Sequence, residues 1–267
     1  MPLYVLSWNM QGWSQGAKAD ALNWYIWSSF NNDDQIIILL QECGSPRNCR
    51  LRNNTIVEWN DDFTCVRYMP DPTADDQRCS VAVLASNNIG GVNGGIETIG
   101  VNRVLMYVRC NNGVVATIHA PSGVPETVPY VNSALDICKR VSTHNPDNIP
   151  DHDPNSWLLM GDFNSNPNNY NLNGIVLFPE VTNFIIYDGS HFRPKNCDMI
   201  YSANNTQGAN GIRVNLLDFA FMGHNGYFSD NLLQNNGLSF INRTMTDSND
   251  NPLSDHNLIG LQFNNQH

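Results

Sequence analysis

Short apolar runs rich in β-branched residues recur along the chain, each cut off by Gly, Pro, Asn or Asp. Runs of this kind predict strands. They fall at Leu3–Trp8, Gln35–Gln41, Phe63–Met69, Ser80–Ala85, Val104–Arg109, Val114–His119, Ser156–Met160, Leu216–Phe221 and Leu258–Phe263. Some, such as Ile36-Ile37-Ile38-Leu39-Leu40, are apolar on both faces, as central strands covered above and below must be. Helical spacing is confined to two segments. Ala17–Phe30 sets Leu22, Tyr25 and Ile26 on one face, and Glu126–Val141 sets Val131, Leu135 and Cys138 at i, i+4 and i+7. Many strands with few long helices predict a layered α/β architecture, two packed sheets with helices outside. No Pro/Gly/Ser linker, heptad run or fixed-period repeat divides residues 1–267, so a single domain is expected.

Composition narrows the function classes. Of 267 residues, 41% are hydrophobic, enough for one large core or two small ones. The formal charge is −11, which argues against a protein that coats nucleic acid by bulk attraction, since Lys and Arg supply most of that affinity. It leaves room for an enzyme whose cleft gathers carboxylates around a cation. No apolar run approaches the roughly 20 residues of a membrane helix, so no stable membrane insertion is expected. Leu3-Tyr4-Val5-Leu6 already reads as strand and not as a leader; it is where a chain would start after removal of one. The seven cysteines, Cys43, Cys49, Cys65, Cys79, Cys110, Cys138 and Cys197, have no zinc-like spacing. Cys43 and Cys49 could close a loop disulfide, or all seven could be reduced thiols.

The chemistry lies where the apolar runs stop. Leu6-Ser7-Trp8-Asn9 ends in an amide, Leu39-Leu40-Gln41-Glu42 in a carboxylate, and Ala116-Thr117-Ile118-His119 in an imidazole. Leu159-Met160-Gly161-Asp162-Phe163-Asn164 ends in a carboxylate and an amide. Asp218 sits inside Leu216-Leu217-Asp218, and Ser254-Asp255-His256 precedes the last strand. Taken singly, each is an ordinary loop residue or a hydrogen-bonded core residue. Six in one chain, all at strand ends, form a set, and a carboxylate buried in an apolar run requires a partner. Hydrolysis of a phosphodiester needs charge neutralisation, an activated water and a protonated leaving oxygen. The hard oxygens of Glu42, Asp255 and Asn9 suit Mg²⁺, Mn²⁺ or Ca²⁺ over zinc. His119 and His256 supply one general base and one general acid, and both are expected near solvent at strand ends.

Trp8-Asn9, Gln41-Glu42, His119, Gly161-Asp162-Phe163-Asn164 and Ser254-Asp255-His256, in that order, resemble the endonuclease/exonuclease/phosphatase superfamily. DNase I, abasic-site endonucleases, inositol polyphosphate phosphatases and sphingomyelinases belong to it. The matching positions run over nearly the whole chain, and the resemblance implies an α/β four-layer sandwich with two β-sheets inside and helices outside. Four stretches resemble the cytolethal distending toxin B subunits in particular: Trp8-Asn9-Met10-Gln11-Gly12, Arg78-Cys79-Ser80-Val81-Ala82-Val83-Leu84, Thr117-Ile118-His119-Ala120 and Leu217-Asp218-Phe219-Ala220.

The resemblance implies a role for each position. Glu42 is the main metal ligand, with Asn9 and Asp255 nearby. His119 and His256 are the acid–base pair, Asp162 orients the water, and Asp218 pairs with a catalytic histidine. Asn164, Arg103 and Arg78 contact phosphate. Asn196-Cys197-Asp198-Met199-Ile200 competes with Asp218 for its role, and Asp218 is preferred because its run continues as a strand. The resemblance implies a secreted nuclease that acts on DNA inside a target cell, in its nucleus, after delivery by separate receptor-binding toxin subunits. A phosphoinositide phosphatase using the same site is the alternative; the chain lacks the Cys-Asp-Arg and Ser-Asp-His-Lys-Pro patterns of dedicated inositol phosphatases.

Overall fold

The computed structural model describes residues 1–12, 16–44, 55–60, 62–68, 80–89, 93–100, 103–122, 124–146, 148–164, 175–177, 185–186, 204–208, 211–215, 218–223, 226–228, 230, 238–254, 256 and 258–264. In chain order the elements begin with β1 (Leu3–Asn9), α1 (Ala17–Ser29), β2 (Gln35–Gln41), β3 (Thr55–Asn60), β4 (Phe63–Tyr68) and β5 (Val81–Ser86). Next come β6 (Asn93–Gly100), β7 (Arg103–Cys110), β8 (Gly113–Ile118), α2 (Val124–Ser142), β9 (Trp157–Asp162), β10 (Ile175–Leu177) and β11 (Ile185–Ile186). The last are β12 (Asn204–Gly208), β13 (Gly211–Asn215), β14 (Asp218–Met222), β15 (Leu238–Arg243) and β16 (Leu258–Phe263).

Two seven-stranded sheets result. One has the order β15-β16-β1-β2-β5-β4-β3 and the other β11-β10-β14-β9-β8-β7-β6; β12 and β13 pair separately. Each large sheet contains one parallel pair at its centre, β1 with β2 and β8 with β9, and its remaining pairs are antiparallel. A parallel pair brings the C-terminal ends of both its strands to the same edge, which decides where the polar strand ends of this chain can meet.

The strict alternation of side chains along a strand builds three hydrophobic interfaces. Leu3 and Val5 of β1, with Ile37 and Leu39 of β2, pack between the sheets against Met106, Val108, Val115, Leu158 and Met160. Their neighbours Leu6, Trp8, Ile36, Ile38 and Leu40 face the other way, against Leu22 and Tyr25 of α1. On the second sheet, Leu105, Ala116 and Leu159 meet Val131, Ala134 and Cys138 of α2. The layers are therefore α1, sheet, sheet and α2, the expected four-layer sandwich. Each Leu, Ile or Val withdrawn from water here contributes roughly 1.5–3 kcal/mol.

Helix α2 starts two residues before its expected Glu126, and α1 ends at Ser29 with Phe30 as its cap. Strands β3, β6, β10, β11, β12, β13 and β15 were not anticipated; Asn93–Gly100, for one, is half-buried and carries few apolar residues. Cys110 and Cys138 are buried free thiols, and burial pushes both pKa values up, that of Cys110 to about 11. Cys43 is also buried, while Cys49, its proposed partner, lies outside the described residues. Among the described residues no helix is long and apolar enough to cross a membrane.

Candidate active site

The inter-sheet face changes character along its length. On β1 it reads Leu3, Val5, Ser7, Asn9; on β2, Ile37, Leu39, Gln41. On β8 and the residue beyond it reads Val115, Thr117, His119, and on β9, Leu158, Met160, Asp162. At one end of the sandwich every strand of the two parallel pairs turns from apolar to polar on the same face. Pairing of β8 with β9 continues past Ile118 and sets His119 beside Asp162.

The first polar layer is a bond between the sheets. Gln41 Nε2 donates to Thr117 Oγ1 at 2.7 Å and to Ser7 Oγ at 3.1 Å, all three residues being buried. The next layer holds the candidate chemistry. Asn9 Nδ2 donates to Asp162 Oδ2 at 2.8 Å and to Glu42 Oε1 at 3.3 Å. His119 Nε2 stands 3.5 Å from Glu42 Oε1 and 3.7 Å from Asp162 Oδ2, and His256 Nε2 stands 4.0 Å from Asp162 Oδ2. Asp162 Oδ2 is thus the hub, approached by one amide and two imidazoles. These imidazole separations are contacts short of good hydrogen bonds.

Both histidines are buried, at 5% and 7% exposure, in place of the expected positions near solvent. His119 ends the polar face of β8 on the inter-sheet side, and the loop before β16 that carries His256 is fastened to β1. There Ser254 Oγ donates to Asn9 O at 2.8 Å, His256 N donates to Ser254 Oγ at 3.1 Å, and Trp8 Nε1 donates to His256 O at 3.1 Å.

Backbone geometry at the strand ends is unusual. Gln11, Glu42 and Asn164, in the turns after β1, β2 and β9, all have φ of +48°. Asn tolerates this region, whereas Gln and Glu hold it at a cost that the surroundings must offset. At Glu42 the turn breaks the strand alternation, so the carboxylate reaches Asn9 and does not point toward α1. The Asp162–Asn164 turn is closed by Asn164 N donating to Asp162 Oδ1 at 2.8 Å, which leaves Oδ2 for the site. Asn164 Nδ2 donates to Ala120 O at 2.8 Å, and Arg103 donates from one terminal nitrogen to His119 O at 2.9 Å. Gly161 has its own reason: a Cβ there would stand 2.3 Å from the Ile118 carbonyl oxygen, so β8 and β9 could not approach as they do.

The structure thus brings together Asn9, Glu42, His119, Asp162 and His256, with Asn164 and Arg103 at the margin. Asp218 opens β14 directly opposite Asp162 in the β14–β9 register. Arg78, Asp255 and the competing segment 196–200 lie outside the described residues. Asn9 differs from a simple ligand. Its Oδ1 accepts the Gln11 N–H at 3.0 Å, which fixes the amide orientation and turns the nitrogen toward both carboxylates.

Sequence reasoning missed Lys18. It is buried on the Leu22 and Tyr25 face of α1, and its Nζ donates to the carbonyls of Met10, Gln11 (3.4 Å) and Gly12 (3.0 Å), holding the turn after β1. The spacing 18, 22, 25 was the available signal: a lysine at i, with apolar residues at i+4 and i+7, lies on the buried face.

No protein-family model matches the chain, and no curated protein does. Solved structures do. Truncated Caenorhabditis elegans TDP2 is 13% identical, with 98% of each chain covered and a TM-score of 0.61. D. rerio TDP2 complexed with a single-strand DNA product is 14% identical, with 99% of each chain covered and a TM-score of 0.61. The chain has the DNase I-like fold. A third such structure is CdtB, the biologically active subunit of cytolethal distending toxin, at 17% identity, covering 97% of this chain and 96% of that one with a TM-score of 0.53.

Proposed function

We propose that this DNase I-like chain is a divalent-metal-dependent phosphodiesterase that hydrolyses DNA. The observation that carries the reading is the convergence of Asn9, His119 and His256 on Asp162 Oδ2, all within 4.0 Å and drawn from both sheets. DNA is favoured as substrate because D. rerio TDP2 was solved with a single-strand DNA product and CdtB is the active subunit of a toxin.

The residues fit a hard cation. Glu42 and Asp162 are two carboxylates bridged by one amide, and among the described residues no lysine or arginine pairs with Glu42. No group of three or more His, Cys, Asp or Glu converges as ligands among them either. That donor set suits an ion such as Mg²⁺, which keeps most of its water and takes one or two carboxylates. Glu42 would hold it, with Asp255 as the further ligand that the resemblance implies, while Asn9, its nitrogen facing both carboxylates, would orient them. Bound there, the ion would neutralise phosphoryl charge and acidify a water.

The side chains supply the rest. Asp162, held by Asn9 and by its own turn, stands within 4.0 Å of both imidazoles and orients them. One histidine takes a proton from the attacking water and the other returns one to the leaving oxygen. Arg103, anchored on the His119 carbonyl, keeps further N–H groups for a phosphate oxygen, with Asn164 and Arg78 as its partners in that role. Asp218, opposite Asp162, steadies a histidine.

The finer reading is a genotoxic catalytic subunit, secreted and carried to the nucleus of a target cell by separate receptor-binding subunits. Its support is the likeness to CdtB and the four stretches quoted above. Supercoiled-plasmid nicking with Mg²⁺, with EDTA, and beside a soluble phosphoinositide tests the activity. Relaxation that needs the cation is expected. Equal nicking in EDTA overturns the metal assignment, and phosphate release from the headgroup without nicking replaces DNA by phosphoinositide. Expression in cultured-cell nuclei, with His119→Ala as control, tests the toxin role through the DNA-damage response.

A further inference from the structure

At the opposite end of β2 from Glu42 lies a second recess. From Ile36 to Glu42 the strand advances about 20 Å at roughly 3.3 Å per residue, so the two places do not share side chains. The recess has a volume of about 470 Å³ and lies between the C-terminal half of α1, the turn into β2, the start of β4 and the turn after β5. That volume is in the range of about 300–1,000 Å³ usual for small-molecule sites.

Its lining combines two chemistries. Ile26, Phe30 and Phe63 contribute apolar surface, and Asn23, Asn31 and Asn87 contribute amides. Two further asparagines and two aspartates also line it, and among the described residues there no Lys, Arg or His is found. Over this stands Trp27, 81% exposed, with Trp24 one turn earlier at 58%. An indole left that far in water is costly and calls for an explanation, since tryptophan is highly buried on average.

The walls are set before any ligand arrives. Asn88 Nδ2 donates to Asp34 O at 2.9 Å, and Ser86 Oγ donates to Asn88 Oδ1 at 2.6 Å while accepting from Ile36 N at 2.9 Å. Asp34 Oδ2 accepts from Asn31 N at 2.8 Å. The turn after β5 is therefore stitched to the turn into β2, and binding would cost little ordering.

We propose that this recess binds a neutral saccharide, with the C–H face of a pyranose ring stacked on Trp27 and its hydroxyls on the surrounding amides and carboxylates. The absence of a basic group among the lining residues disfavours phosphate, nucleic acid and acidic sugars. The supply of amides, each both donor and acceptor, matches hydroxyls, which are also both. An organic cation would use the indole and the aspartates but has no acceptor to offer an amide N–H.

The test is titration of the ¹⁵N-labelled full chain with methyl glycosides of glucose, galactose, mannose and N-acetylglucosamine, following the six tryptophan indole N–H signals. Tetramethylammonium and inorganic phosphate serve as controls. At least one glycoside is expected to shift the Trp27 signal saturably, with a dissociation constant on the order of 1 mM. Trp27→Ala should weaken that binding at least about tenfold, read from the remaining signals, with plasmid nicking and the melting curve unchanged. No saturable shift with any glycoside, saturation by tetramethylammonium alone, or equal affinity in Trp27→Ala overturns the proposal. Because nicking is scored separately, an inactive nuclease and an empty recess give different results.

Discussion

Strand β2 starts and ends in opposite kinds of polar environment. Its end, Gln41 and Glu42, enters a buried layer where each amide, hydroxyl and carboxylate has a named partner on another strand, often on the other sheet. Its start, beside Asp34, opens on exposed amides and two exposed indoles from nearby turns and a single helix. A polar group inside the first layer loses its partner when that partner is removed, and no water takes its place, at about 1–3 kcal/mol for each group left unpaired. An exposed amide around the second, such as that of Asn23, simply returns to water. Variants at the two ends should therefore separate in stability as well as in chemistry.

The sharpest break in that comparison is at the histidines. His119→Ala or His256→Ala should lower plasmid nicking by roughly 10²-fold or more, the usual scale of general acid–base catalysis. Since both rings are buried, part of any loss in apparent activity could come from unfolding, so turnover is to be measured per folded molecule by circular dichroism. Near-parental nicking by either variant would reduce that histidine to a core residue.

A smaller effect is expected one layer down. Gln41→Leu strips Thr117 and Ser7 of their shared partner and should lower stability by about 1–3 kcal/mol in urea unfolding. Ser7→Ala, which removes the Ser7–Gln41 bonds and leaves Gln41 to Thr117 intact, should cost less. Equal unfolding midpoints for Gln41→Leu and the parent would show that the inter-sheet bond does not contribute.

The smallest effect belongs to the other end. Trp24→Ser should change stability by less than about 0.5 kcal/mol, as surface substitutions do, and should leave nicking unaltered. A large drop in melting temperature would mean that this indole is covered in solution and that the comparison between the two ends fails.

Much of this was legible in sequence. The central strands and both helices follow from apolar periodicity, and the polar strand ends named Asn9, Glu42, His119, Asp162 and His256 before any geometry was known. Edge strand β6 escaped because a half-exposed strand carries no continuous apolar run. Lys18 escaped although the spacing 18, 22, 25 placed it on the buried face of α1, because the turn carbonyls that stabilise its ammonium leave no trace in the sequence. Burial of the two histidines was misread for a related reason. A strand end looks solvent-facing in one dimension, yet here a second sheet and the Ser254 clasp cover it.

What the sequence determined by itself was local. Alternation assigned each strand two faces, and the switch from Leu, Val and Ile to Ser, Asn, Gln, Thr, His and Asp marked where the inter-sheet face becomes polar. What only the tertiary structure decided was coincidence. Positions 9, 42, 119, 162 and 256 meet because β1 and β2, like β8 and β9, run parallel, and because the apolar halves of the two sheets pack face to face. Strand direction and sheet pairing depend on contacts between residues far apart in the chain. No window of sequence contains those contacts, so composition and periodicity cannot specify them.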